Sequence, residues 1–527
     1  MSAPEETQSR TPRVLERALL LAGVAAGVSH TPSIVPRTPQ DQALVSSAAG
    51  LMGAAAGLLV EGATRALPGG RRSATGLLAV LGVAGVVAGR RGGNRGRTTA
   101  AATAGSVLLA SSAGGELVLA AWHRLPPHLR SRLVDRAWTT GLGAASAAVA
   151  LRRHLAEPRD SVKASIRYEF LPSVSGGPGS RLPLESLDRE GRKFLGLAAP
   201  AARIAEVVGE DAIDPIRVYA GLKSAATPEE RARLAVEELE RLGGLERRRI
   251  VCFCPTGSGL VNPVAAEAGE VLSRGDVASV VVQYSNKRSV RARAHVSIAR
   301  ASWRALLEAL DRRLDTLPPG ERPEVAVYGE SLGAQVVAET LFEGGVEMLR
   351  ALDIERGLLT GLPHEGARKL RAIEERGERR PEGVGVFTSL DELLLAPAEE
   401  RERIRYLIFT HAEDPVALFG GRRLLWERPS WLAREGRHPR VPRGMRWLPG
   451  ITFFHVLLDI KNATSYTPVF EAYAHDYRLE LPTLLRIAFG HWDLTEAQVA
   501  AVESETARSA AAQAEREARA RAGPRPR

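Results

Sequence analysis

Residues 325–334 read Val-Ala-Val-Tyr-Gly-Glu-Ser-Leu-Gly-Ala. Val325 to Tyr328 form a short apolar run suited to a buried strand, and residues 334–341 read as a helix. Only Gly329-Glu330-Ser331-Leu332-Gly333 separates the two. A chain that turns from strand to helix through Gly-x-Ser-x-Gly must strain the serine backbone, and side chains two residues away on either side would collide. Glycine at 329 and 333 removes those side chains. The helix behind Ser331 turns the positive end of its dipole toward a developing oxyanion. This stretch therefore predicts a nucleophile elbow; the rival reading is a glycine-rich turn without chemistry.

Upstream, Ile216–Ala220 reads as a strand. Thr227-Pro228-Glu229-Glu230 is a capping box with proline at the first helical position, opening a charged helix that stops near Gly243-Gly244. Arg249–Cys254 is the next strand and runs into Pro255-Thr256-Gly257-Ser258-Gly259. A backbone N–H of Thr256 or Gly257 would supply one oxyanion donor, and that of Leu332 the other. A phosphate loop is disfavoured, because its lysine and spacing are missing. A strand at 278–284 and a helix at 295–315 precede the elbow, and strands at 356–362 and 404–409 follow it. Strands alternating with helices predict an α/β fold with a parallel sheet and a site at the strands' C-terminal ends.

In such a chain the nucleophile is followed by an acid and then a histidine. The strand at 404–409 leads into Thr410-His-Ala-Glu-Asp-Pro415, and Asp414 is the expected acid, with Glu413 its nearest competitor. Among the late histidines, His438, His455, His475 and His491, the polar Tyr473-Ala-His-Asp-Tyr477 favours His475 as the base. His455 sits in an apolar run and reads as a core residue. Cys252 and Cys254 share one strand and one face, so both are expected as reduced core residues. No metal-ligand spacing includes them, and no cofactor is expected.

The first 153 residues differ in kind. They hold 17 Arg, no Lys and seven acids, which is the whole +10 of the chain; residues 154–527 carry 54 basic and 54 acidic residues. A nucleic-acid partner is accordingly not expected. Uncharged stretches at 18–36, 42–60, 73–89 and 98–115, with a weaker one at 137–151, each come close to the ~20 residues that cross a bilayer. They are rich in Ala and Gly, which lets membrane helices pack closely. A cleaved signal peptide does not fit, because apolar stretches recur after the first. A soluble Ala-rich helical domain is the rival reading. Ten Arg flank one side of four spans and five the other, which places the richer side, and the remainder of the chain, in the cytoplasm. A fifth span would reverse that. The expected division is a transmembrane helical domain at 1–153, a lead-in at 154–215, an α/β domain at 216–493 and a charged, frayed or disordered tail at 494–527. Ser175-Gly-Gly-Pro-Gly-Ser180 in the lead-in reads as a connecting loop, with a loop that covers a site as the rival reading.

Several of these stretches together resemble the actinobacterial membrane-anchored α/β-hydrolase family. They are His30-Thr-Pro-Ser-Ile-Val-Pro-Arg37, Ser175-Gly-Gly177, Pro215-Ile-Arg-Val-Tyr-Ala-Gly-Leu222 and Pro255-Thr-Gly-Ser-Gly259. Tyr328-Gly-Glu-Ser-Leu-Gly333, His411-Ala-Glu-Asp-Pro415, Met445-Arg-Trp-Leu-Pro449 and His475 complete the set. The resemblance covers roughly residues 14–490 and implies an α/β-hydrolase fold behind an all-α transmembrane bundle. The chain departs from it at 286–293, which carries Lys287, Arg288, Arg291 and Arg293 where the family is more aromatic and apolar. The expected function is a membrane-anchored serine hydrolase that cleaves an ester or thioester, a lipid included, through Ser331, Asp414 and His475. Its partners would be the lipid bilayer and the acyl substrate. An acyltransferase would use the same residues; a non-catalytic membrane scaffold and a transporter are rivals of other classes.

Overall fold

Seven parallel strands carry the site. They are β1 (Ile216–Ala220), β2 (Arg249–Cys254), β3 (Val277–Val282), β4 (Glu324–Glu330), β5 (Ile354–Thr360), β6 (Val384–Phe387) and β7 (Tyr406–Phe409), in the order β1-β3-β2-β4-β5-β7-β6. The computed structural model describes residues 18, 21–66, 168–287, 296–375, 382–463 except 426, 434 and 436, 474–490 and 492–522.

The strands are apolar on both faces because both faces are covered. Ile250, Cys252, Val325, Val327, Leu359 and Ile408 turn to one side, with helices Pro228–Arg241, Val296–Leu314 and Leu332–Ala351. Val251, Phe253, Ala326, Tyr328, Leu358 and Phe409 turn to the other, with helices Pro263–Leu272 and Leu481–Phe489. Cys252 and Cys254 share a face as free, buried thiols, and burial raises both, Cys252 to about 12.

The expected strands are present, with ends shifted by one or two residues. Sequence reading missed β6, a four-residue edge strand with only Phe387 fully buried. Thr227 caps its helix as its motif requires, accepting from the Glu230 N–H at 3.1 Å. Ser175 docks on the edge strand: its N–H donates to the Arg217 carbonyl at 2.9 Å, and its hydroxyl accepts from the Tyr219 N–H at 3.2 Å.

Two compact units make up the chain: Met1–Glu157 with Phe419–Asn462, and Pro158–Leu418 with Ala463–Arg527. These units are cut differently from the expected division. Residues 419–462, expected inside the α/β domain, belong to the first unit, where helix Ile451–Ala463 places Ile451 and Leu458 against Val45 and Ala49. Residues 168–215 of the lead-in belong to the second unit. So does the tail, whose helix Glu496–Ala522 buries Val499, Val502 and Ala510.

In the first unit, the expected span at 18–36 is helical only as far as Val28. Pro32 and Pro36 cannot continue a helix, and Arg37 donates to the carbonyls of Ser29 and Thr31. The stretch at 42–60 lies within helix Pro39–Ala66. A Cβ on Gly57 would sit 2.9 Å from the Ala18 Cα, the close approach its small residues permit. Among the described residues, no helix is long and apolar enough to cross a membrane. The stretches at 73–89, 98–115 and 137–151, and the basic residues 288–293, lie outside the described residues.

Candidate active site

Strand register puts the functional loops in one row. Cys254 pairs with Gly329, Glu330 with Thr360, and Thr360 with Phe409, so the chain leaves β2, β4, β5 and β7 along one edge of the sheet.

Ser331 follows β4 with φ at +57°, one of four non-glycine residues of positive φ among the described residues. Such a conformation costs on the order of 1–3 kcal/mol and persists only where surroundings fix it. The surroundings here are close-packed. A Cβ on Gly329 would lie 2.8 Å from the Ala334 nitrogen, and one on Gly333 would overlap the Cys254 carbonyl oxygen. The Ser331 N–H donates to the Thr360 carbonyl at 3.0 Å, and the Ser331 carbonyl accepts from Gln335 at 3.1 Å to start the helix. Behind the serine, the buried Glu330 carboxylate accepts from Asn262 Nδ2 at 2.7 Å and from the Tyr328 hydroxyl at 2.9 Å.

The expected oxyanion donors are partly corrected. The Thr256 N–H is committed to the Leu260 carbonyl at 2.9 Å, because the loop closes on itself. Gly257 and Leu332 keep backbone N–H groups with no acceptor among the described residues. The contact of Gly333 with Cys254 and Pro255 brings that loop against the elbow.

Asp414 is fully buried and accepts three hydrogen bonds. His475 Nδ1–H donates to Oδ2 at 2.7 Å, the Tyr477 hydroxyl to Oδ2 at 2.6 Å, and the Val416 N–H to Oδ1 at 2.8 Å. The His475 ring lies over Gly361, where a Cβ would meet its Cε1 at 2.6 Å. Gly361 directly follows Thr360, which holds the Ser331 N–H. His475 and Ser331 are thus set on two consecutive residues of one strand end. Among the described residues, no hydrogen bond joins the Ser331 hydroxyl to His475; such contacts are often long until substrate tightens them.

A family model described as the alpha/beta-hydrolase family matches residues 216–502. The chain belongs to the alpha/beta-hydrolase family. No curated protein and no solved structure matches it. The matched span holds the elbow, the glycine loop, Asp414 and His475.

Electrostatics follow from these contacts. Burial of the hydrolase's His475 disfavours its charged form, but the charge and hydrogen bond of Asp414 outweigh that, with Glu330 and Asp476 adding to them. The imidazole pKa therefore lies above its ordinary value. Tyr477 is pushed well above the ordinary phenol range, first by burial and then by Asp414, so it stays a donor.

Sequence reasoning did not assign Tyr477, Asn262, Gly361 or Glu330. Tyr477 stands two residues after His475, and that spacing was the available signal. Glu413 is buried beside Asp414, but the carboxylate that His475 Nδ1 meets is that of Asp414, and His455 lies in the other unit. His438 is also in the first unit, and His491 lies outside the described residues.

Proposed function

We propose that the protein is a serine hydrolase acting on a carboxylic ester or thioester, with Ser331 as nucleophile, His475 as general base and Asp414 as the acid that orients it. The observation that carries this reading is the Asp414–His475 bond of 2.7 Å, with the imidazole seated on Gly361 next to the strand end that holds Ser331. Asp414 accepts a hydrogen bond from Nδ1–H, which fixes the tautomer and leaves Nε2 to take the Ser331 proton. The hydroxyl oxygen attacks the carbonyl carbon, and the oxyanion faces the N–H groups of Leu332 and Gly257, each donor worth about 10²–10³ in rate. The protonated imidazole gives its proton to the leaving group, an acyl-enzyme remains, and water resolves it. Because attack needs a neutral imidazole and the His475 pKa is raised, activity should rise with pH through that raised value.

The reading extends to a membrane. Uncharged stretches at 73–89 and 98–115, with the Arg-only clusters Arg71-Arg72 and Arg90 to Arg97 before and between them, favour an anchor in the bilayer and a lipid-derived acyl substrate, with the hydrolase unit on the cytoplasmic side.

A p-nitrophenyl ester tests the chemistry. Stopped-flow absorbance should show a burst near one equivalent of p-nitrophenol per chain before steady turnover. Steady release without a burst, surviving in Ser331→Ala, would argue against an acyl-enzyme on Ser331.

A further inference from the structure

The loop that carries His475 is held by a second histidine that takes no part in proton transfer to substrate. His411 is buried at 1% exposure, and both of its ring nitrogens face acceptors. Nδ1 lies 2.9 Å from the Ala474 carbonyl oxygen, and Nε2 lies 2.7 Å from Glu480 Oε2. A carbonyl and a carboxylate have no proton to offer, so both bonds exist only if both ring nitrogens carry hydrogen. The ring stacks on Tyr477, with centroids 4.5 Å apart and planes 18° from parallel, an arrangement that favours a cation over an aromatic face.

Resting on the serine-hydrolase reading, we infer that His411 is a positioning residue: an imidazolium at neutral pH that clamps the Ala474 carbonyl and so aims His475 at Ser331. Ala474 has φ at +58°, a left-handed conformation that a residue with a Cβ keeps only when its surroundings enforce it. The Nδ1–H bond of His411 is one such constraint, and His475 is the next residue. A second arm of the clamp reaches the acid. The His411 backbone N–H donates to the Tyr477 hydroxyl at 3.3 Å, and that hydroxyl donates to Asp414.

The groups facing the ring are Glu480 ahead of helix Leu481–Phe489, Glu413 on its own loop, and the Tyr477 hydroxyl, with Asp414 and His475 beyond it. Burial alone would discharge the ring; the bond and charge of Glu480, the Ala474 carbonyl and Glu413 together hold its pKa above the ordinary value. Deprotonation leaves one nitrogen as an acceptor facing another acceptor, so one bond must break. Activity therefore rises with pH as His475 loses its proton and falls as His411 loses its own.

The test uses the full-length protein and the rate of labelling by a fluorophosphonate probe across pH. Glu480→Gln keeps an acceptor for Nε2–H but removes the charge. The falling limb should move to lower pH, so that labelling on the alkaline side drops about tenfold below wild type. The rising limb, set by His475 and Asp414, should keep its position. In parallel, nitrogen-15 NMR of wild type should show both His411 ring nitrogens protonated at neutral pH; this readout does not depend on a variant folding. Superimposable pH profiles, or one unprotonated His411 nitrogen, overturn the inference. A wild-type chain that takes no label overturns the serine-hydrolase reading instead, and the NMR result then still decides the state of His411.

Discussion

Asp414 and His475 in the hydrolase unit, and Asp459 and His455 in the N-terminal unit, are the same two residue types, all buried. Their partners differ. Asp414 receives three donors, one of them from His475 itself. Asp459 receives Ser33 and the Ile34 N–H on Oδ2, while its Oδ1 has no hydrogen-bond partner among the described residues. His455 stands one turn away on the same helix and donates from Nε2 to the Ser29 carbonyl at 3.0 Å, with Nδ1 likewise without a hydrogen bond. The ionisation follows the partners. Burial pushes Asp459 up to about 7, against the opposing effect of its bonds and Arg37. Burial, then the like charge of Arg37, pushes His455 down to about 4. His475 moves the other way, its charged form favoured by Asp414 against burial. Burial alone discharges both members of such a pair, and the mutual hydrogen bond is what keeps one poised for proton transfer.

This contrast breaks if the two pairs respond alike to substitution. Asp414→Asn should leave the fold intact and lower ester turnover on the order of 10⁴-fold, since an amide favours the wrong imidazole tautomer. His455→Ala should chiefly cost stability, with acylation per folded chain close to wild type. Equal losses of turnover in the two variants would remove the distinction.

A pH series on Asp459→Asn sharpens it. Below about pH 4 the aspartate is neutral in both folded and unfolded chains, so it carries no penalty. Between about 4 and 7 the unfolded chain ionises while the folded group keeps its proton, and the fold loses stability as pH rises. Above 7 the penalty is complete. The variant should therefore match wild type in denaturant unfolding near pH 4 and gain up to ~4 kcal/mol above pH 7. A difference independent of pH would contradict the raised pKa.

Gly361→Ala probes the hydrolase unit alone. Its Cβ would press on the His475 ring, and its φ of +62° already disfavours a side chain. A displaced imidazole should cost roughly 10²-fold in turnover, with substrate binding less affected. Turnover close to wild type would mean that His475 does not rest on this strand end during catalysis.

The elbow was legible because its constraint is local: Gly329, Ser331 and Gly333 lie within five residues, and the collisions they avoid are with their own neighbours and Cys254. The strands and the Asp414–His475 pair were legible through apolar runs and chain order. Beyond that, contacts spanning long separations decide the outcome. His411 meets Glu480 across 69 positions, and no local pattern announces a pairing at that distance. Helix Ile451–Ala463 joins the N-terminal unit through Lys461 and Asn462, which bond Asp41 more than 400 positions away. The tail reads as frayed helix or disorder because its charge is high, yet its sparse Val499 and Val502 are among the residues it buries. The Thr256 N–H was lost to Leu260, four residues on, through a loop closure that composition does not reveal.

The central claim is that Ser331 becomes a nucleophile at a built site. Fluorophosphonate labelling of the full-length chain, wild type beside Ser331→Ala with thermal unfolding measured on both, addresses it directly. The account predicts one equivalent of covalent label on wild type, mapped to Ser331 by mass spectrometry, and none on the variant at unchanged stability. Label on the variant equal to wild type, or a wild-type chain that stays unlabelled while folded, would contradict it.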